Sequence, residues 1–211
     1  LLHEALAPLS LPVYAVPGNH DRRDRMRELL GNWCPADASV APYLCYAVED
    51  GPVRLVMLDT MQPGSHSGHC PEAVADWLER TLAAGVPTLL FMHHPPFVTG
   101  MGAMDEPFEN VGRLADILSR SPWVRLCCGH MHRPIVTQWA GCIALTSPAV
   151  SMQIDLDLSP EGGDTFRMET PGYLLHHWDG SVLNSHICQI PCSPTFSGPH
   201  PFVGSVNPVE G

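Results

Sequence analysis

"PTLLFMHHPPF", Pro87–Phe97, decides how the rest of the sequence is read. The apolar run Leu89–Met92 stops at two histidines, His93 and His94, and two prolines follow at once. An apolar run that ends this sharply reads as a strand buried on both faces. The prolines force an extended, stiff exit, and imidazoles held on such a segment suit a metal ion. As an isolated motif, a pair of loop histidines is an equally good reading.

Working outward, the same pattern recurs in "LPVYAV" (11–16), "VRLVMLDT" (53–60), "WVRLCCGH" (123–130) and "CIALTS" (142–147). Most of these runs end at Gly, Pro, Asp or His. Helical segments lie between them. "CPEAVADWLERTLAAG" (70–85) carries Pro71 near its first turn, an early acidic Glu72 and Gly85 as its stop, with Val74, Trp77, Leu78 and Leu82 on one face. "VGRLADILSRSP" (111–122) turns Leu114, Ile117 and Leu118 inward, and "RDRMRELLGNW" (23–33) is a shorter third helix. Strands alternating with helices predict an α/β fold whose loops, leaving the carboxyl ends of the strands, converge on one rim and carry the site. Residues 1–190 read as one domain, closed by a hairpin over 165–190 with Asp179-Gly180 at its turn; residues 191–211 read as an irregular tail rich in Pro, Ser and Gly.

Composition narrows the function. The 211 residues are 45% hydrophobic, enough for one well-buried core. A formal charge of −11 with only 11 Lys+Arg argues against a nucleic-acid polymer or an anionic membrane surface as partner. A small anionic substrate then needs a local positive centre. No apolar run approaches the roughly 20 residues of a membrane span, and "LLHEALAPLS" lacks the marks of a signal peptide. Of the eight cysteines, Cys45, Cys127, Cys128 and Cys142 sit in apolar strand-like runs, where reduced Cys packs as a small hydrophobe, so a reducing cytoplasm fits best. Cys188 and Cys192 lack zinc-ribbon spacing.

Two further loops join the first. In "VPGNHDRRD" (16–24), Gly18 permits a tight turn, Asn19 offers a carbonyl oxygen and His20 a titratable imidazole. Alone it is ordinary turn chemistry. In "CCGHMHRP" (127–134), His130 and His132 are two apart, so an extended backbone points both imidazoles the same way, with Gly129 bending around an ion. "HSGHC" (66–70) reads as a flexible loop before a helix, and His176-His177 alternate across a strand, so at most one faces any given site.

"GNHD", "HHPP" and "GHMH", in this order, resemble the later motifs of the calcineurin-like metallophosphoesterases, and most of all the branch of class III cyclic nucleotide phosphodiesterases and glycerophosphodiesterases. The likeness takes in "LDTMQPG", "WLERTL" and "PGYLLHHW". It implies a four-layer α-β-β-α sandwich with two metal ions, commonly iron, manganese or zinc, at the strand ends. By matching motifs, Asn19, His93 and His130 resemble ligands of one ion and His132 a ligand of the other. His20 looks like the group that steadies the transition state or protonates the leaving alkoxide. Asp21 and His94 resemble neighbours standing behind the ligands, and His66 and His69 lie in a loop near the substrate mouth. The implied reaction is hydrolysis of a small phosphodiester, a 3',5'-cyclic nucleotide or a glycerophosphodiester, by metal-activated hydroxide. Two cations roughly 3.5–4 Å apart would neutralise the diester and hold attacking and leaving oxygens in line.

The family's opening Asp-x-His and Gly-Asp motifs have no counterpart here; the sole Gly-Asp, Gly163-Asp164, falls in the insert "SPEGGDTF". The expectation is therefore an absent amino-terminal portion, one ion position stripped of most ligands, and weak activity for the chain as given. A catalytically silent binding or regulatory module on the same fold is the alternative, and a phosphomonoesterase is a further one. The carboxy-terminal hairpin is a candidate arm for a homodimer.

Overall fold

Four strands, each short and almost wholly apolar, run side by side through the middle of the chain. The computed structural model describes residues 2–6, 8–159 and 165–191; Gly163, Asp164, Cys192 and the expected tail beyond residue 191 lie outside them. The helices are α1 (Leu2–Leu6), α2 (Arg23–Leu30), α3 (Glu72–Leu82) and α4 (Val111–Ser119). The strands are β1 (Tyr46–Val48), β2 (Arg54–Leu58), β3 (Gly68–His69), β4 (Thr88–Met92), β5 (Phe108–Glu109) and β6 (Val124–Cys128), then β7 (Ile135–Trp139), β8 (Cys142–Thr146), β9 (Gln153–Ile154), β10 (Phe166–Arg167), β11 (Gly172–Trp178) and β12 (Leu183–Gln189).

The main sheet has the order β1-β2-β4-β6-β8-β7, parallel through β2, β4, β6 and β8 and antiparallel at both edges. Register aligns Val56, Leu90, Leu126 and Ala144 in one row across the four parallel strands, and none of the four is exposed. Helices α3 and α4 cover that face with Val74, Leu78, Leu114 and Leu118. A run of buried side chains on both sides of a strand is what parallel sheets require, which is why these segments carry no polar alternation. Truncating a fully buried leucine such as Leu90 or Leu126 typically costs about 2–5 kcal/mol.

The opposite face places Leu89, Cys127 and Leu145 against Leu174 and Leu183 of the β11–β12 hairpin. Helix, sheet and hairpin thus stack in layers, as the α/β sandwich reading requires. The helix boundaries follow their signals. Pro71 caps α3, Gly85 takes φ +65° just beyond its end, and its N–H donates to the Leu82 carbonyl.

One expected strand is absent. "LPVYAV" (11–16) joins no sheet. Its Ala15 N–H donates to the Trp33 carbonyl and the Tyr46 hydroxyl, while the Ala15 carbonyl accepts from that same hydroxyl and from Cys34 Sγ. Ala15 thus ties the segment to the Trp33 backbone and to two side chains, and Tyr14, Ala15 and Val16 pack on the small cluster around Met26, Leu44 and Met57. The seven cysteines among the described residues are all free thiols, six of them buried. Among those residues no helix is long and apolar enough to cross a membrane.

Candidate metal centre

Strand β4 delivers His93 and His94 to the carboxyl rim, and its neighbour β6 delivers Gly129, His130 and His132 beside them. The backbones are tied at this point, since the Gly129 N–H donates to the His93 carbonyl (3.0 Å). The rings of His93 and His130 lie 5.2 Å apart, those of His94 and His130 5.3 Å, and those of His93 and His94 4.9 Å. Each of the three presents one ring nitrogen within 4.8 Å of the others. Asn19 closes the group, its Oδ1 accepting from His93 Nε2 at 2.9 Å.

The glycines serve a different purpose from the turn and bend read in the sequence. Neither Gly18 nor Gly129 has positive φ. A Cβ on Gly18 would stand 2.9 Å from His93 Cε1 and Nδ1, and one on Gly129 would stand 3.2 Å from Nδ1. The His93 imidazole is held between two bare stretches of backbone, which only glycine allows. The turn itself is shaped by Asp21, whose carboxylate accepts from the Gly18 N–H at 2.8 Å.

The extended geometry expected for "GHMH" is also corrected. His130 and His132 take φ +65° and +52°, with buried Met131 between them. Left-handed backbone at a non-glycine residue costs on the order of 1–3 kcal/mol and persists where the surroundings enforce it. His132 is enforced in this way, its Nδ1 donating toward the Met152 carbonyl (3.2 Å) and lying 3.0 Å from Met152 Sδ.

Residues given no site role by the sequence hold the rest. Thr60, fully buried just past β2, shares a 2.9 Å hydrogen bond with His94 Nδ1. Asp59 beside it is fully buried and accepts from Arg23 Nε (2.6 Å) and Nη2 (2.9 Å), the Leu44 N–H (2.8 Å) and the Met61 N–H (3.0 Å). This bidentate pair fastens the start of α2, and with it the Gly18–Asp21 turn, to the end of β2.

A cavity of about 340 Å³ opens over the cluster, lined by Asn19, His20, His66, His93, His130 and His132, with Met104, Glu106, Met152 and Ile154 completing the wall. Every predicted ligand position thus meets one space, although His132 stands outside the tight trio. His20 is exposed at the mouth, its ring 5.4 Å from that of His66. His66 Nδ1 accepts from Asn19 Nδ2 at 2.6 Å. His69 is not at the cavity; it sits on β3 with Nε2 3.9 Å from Glu109, because strand alternation turns it away while Gly68 faces His94 and Phe108. His176 faces the main sheet, bonded to Ser185 and edge-on to Phe91.

Burial sets the electrostatics. It pushes His93 down to about 3, helped by His94 and His130, and it pushes His94 and His130 each to about 4. At neutral pH all three are neutral imidazoles with lone pairs to offer. His94 Nε2 and His130 Nε2 are buried and have no hydrogen-bond partner among the described residues. No arginine lines the cavity, so the protein offers an anion no cationic side chain there beyond histidine. Orphaned buried nitrogens on neutral imidazoles, an amide oxygen and a rim position together fit a transition-metal ion.

The profile of the family described as calcineurin-like phosphoesterase matches residues 1–134. A probable glycerophosphodiester phosphodiesterase GpdQ from Arcobacter nitrofigilis is 35% identical over 208 residues, 96% of this chain and 74% of the relative. The glycerophosphodiester phosphodiesterase GpdQ of Enterobacter lignolyticus is 34% identical over 190 residues, 87% of this chain and 67% of the relative. The 3',5'-cyclic adenosine monophosphate phosphodiesterase CpdA of Escherichia coli is 31% identical over 185 residues, 85% of this chain and 64% of the relative. A profile that spans more than half the chain, with relatives alike over nearly all of it, places this protein in the calcineurin-like phosphoesterase family.

Proposed function

We infer that this chain is a metal-dependent phosphodiesterase for small diesters, of the glycerophosphodiester or cyclic-nucleotide kind that its relatives are named for. The observation that carries the reading is the convergence of Asn19 Oδ1, His93 and His130 at the ends of β4 and β6, with buried imidazole nitrogens left unpartnered. In this reading Asn19, His93 and His130 hold one ion, and His132 serves a second position in the same cavity. Iron, manganese and zinc all suit this donor set. When bound, the metal supplies the positive charge and the activated water that a phosphodiester requires.

The chain's own residues do the remaining work. His66 accepts from the Asn19 amide and so aims its Oδ1 at His93. In this reading His20, exposed at the mouth, gives a proton to the leaving alkoxide. Asp21 holds the turn that presents both. With a net charge of −11 and no arginine at the cavity, a nucleic-acid polymer finds no track to follow, and a small diester is the better fit. Free, buried cysteines favour a reducing cytoplasmic setting. Self-association through β11–β12 belongs to the same reading, since Tyr173 and Leu175 are 45% and 51% exposed on its outer side.

The test is hydrolysis of bis(p-nitrophenyl) phosphate by the chain, stripped of metal and reloaded with manganese or zinc. Activity should appear only on reloading and fall to the stripped level in His93→Ala. A rate independent of metal, or one unchanged in His93→Ala, would refute the reading.

A further inference from the structure

We propose that a side pocket next to the metal cavity selects diesters in which one alcohol arm carries a compact cation, an ammonium or quaternary ammonium group, and that Glu106 makes the selection. The proposal rests on the functional reading above and narrows its substrate. A cyclic nucleotide has no such arm, whereas a glycerophosphodiester of an amino alcohol has one.

The side pocket has a volume of about 250 Å³, and Pro95, Pro96, Phe97 and Phe108 form much of its wall. It meets the metal cavity along three shared residues, Met104, Glu106 and His130. A diester whose phosphate sits over the histidines therefore has one alcohol arm free to cross this boundary. Sites for drug-sized ligands run to roughly 300–1,000 Å³, so a pocket below that range has room for a small headgroup only.

Its walls are fixed before anything binds. Phe97 follows Pro95 and Pro96, whose rings set the backbone φ, and it packs on the main core. Phe108 is paired with Gly68 in the β3–β5 ladder, and a Cβ on Gly68 would stand 2.5 Å from Phe108 Cδ2. Asp105 closes the loop that leads to Glu106, its carboxylate accepting from the Thr99 N–H, the Thr99 hydroxyl and the Gly100 N–H, each at 2.8 Å.

Charge decides what such a pocket takes. Its lining holds two carboxylates, Asp105 and Glu106, beside the imidazoles of His94 and His130, and no arginine. Asp105 is engaged by the loop. Among the described residues no hydrogen bond or ion pair engages the Glu106 carboxylate, which is exposed at the boundary between the two cavities. A free carboxylate in a pocket with two aromatic rings attracts a cation twice over, by direct Coulomb attraction and through the negative faces of the rings. The same carboxylate repels an arm that bears a second anion. A zwitterionic diester thus meets complementary charge at both ends, with its phosphate at the metal cavity and its ammonium at Glu106.

The experiment uses the full chain, stripped and reloaded with manganese, and two diesters that share p-nitrophenolate as leaving group. One is p-nitrophenyl phosphocholine, and the other is its neutral isostere, in which carbon replaces the quaternary nitrogen. Shape is kept and only the cation differs. In the wild type, kcat/KM should favour the choline ester by about 10-fold, mainly through KM, as expected for a partly desolvated cation held by a carboxylate and aromatic faces. Glu106→Gln should shrink the preference to about 2-fold, the share left to the rings, and Glu106→Lys should invert it. Glu106→Asp should retain more of it than Glu106→Gln. The ratio within each variant cancels any loss that the two esters share, so a merely structural effect does not move it. Equal hydrolysis of both esters by the wild type, or a choline preference that survives Glu106→Lys, would overturn the proposal and leave the functional reading standing. Hydrolysis of neither ester would overturn both.

Discussion

His93 is pressed on both sides by backbone that carries no side chain, and this contact constrains the ring directly. With Cε1 and Nδ1 of the ring 2.9 Å from where a Gly18 Cβ would lie, Gly18→Ala must move the ring or the turn. The expected result is a loss of roughly 10–100-fold in metal affinity, as for other residues that orient a ligand, measured by zinc titration. Gly112→Ala is the control, since nothing lies within 4 Å of its Cβ inside α4 and it should stabilise the fold by up to about 1 kcal/mol in urea unfolding. His20→Ala should leave metal content intact and lower diester turnover by about 10²-fold or more, because an exposed acid at the mouth acts on the leaving group and not on the ion. Equal loss of metal and turnover would make His20 a ligand. The identities of these residues were legible in "GNHD", "HHPP" and "GHMH". Their geometry was not: spacing cannot reveal that a glycine makes room for a ring 75 residues away, nor that His130 and His132 adopt left-handed backbone.

The elements hold the site through a few long-range polar contacts. Asp59, with no exposure, neutralises Arg23 and accepts two backbone N–H groups. Asp59→Ala would take the carboxylate from the Arg23 guanidinium in a largely buried place, leaving it the Met61 carbonyl and the Tyr43 ring, a change that costs about 3–5 kcal/mol. Urea unfolding should show this loss, and metal affinity should weaken with it because α2 and the "GNHD" turn lose their anchor. A midpoint unchanged from wild type would mean that the turn is fixed elsewhere. The apolar faces of α3 and α4 and the four parallel strands were readable, because a buried face leaves a periodic or unbroken apolar trace. The segment 11–16 leaves the same trace without joining a sheet, since an apolar run reports burial and not which partner takes its N–H and C=O groups. Asp59–Arg23 and Thr60–His94 join residues 36 and 34 apart, beyond the reach of any local pattern.

For the whole molecule, three neutral imidazoles, His94 and His130 buried and His93 partly so, couple stability to pH. Burial holds His93 at about 3 and His94 and His130 at about 4, against 6.5 when unfolded, so between those values the unfolded chain binds more protons. Stability of the metal-free protein should be full above pH 6.5 and decline as pH falls toward 3–4, by up to about 1.4 kcal/mol per pH unit for each group. Melting temperatures across that window should show the decline, and His94→Phe should make it shallower. A saturating metal that binds only the folded chain raises stability further, by about 2.7 kcal/mol at 100 times its dissociation constant. The most direct test of the central claim is an anomalous difference map, at the zinc edge, from crystals of the chain grown with zinc. The account predicts a strong peak bonded to His93 and His130 at the ends of β4 and β6, within reach of Asn19. Zinc bound elsewhere, with those side chains left as they stand in the metal-free protein, would contradict it.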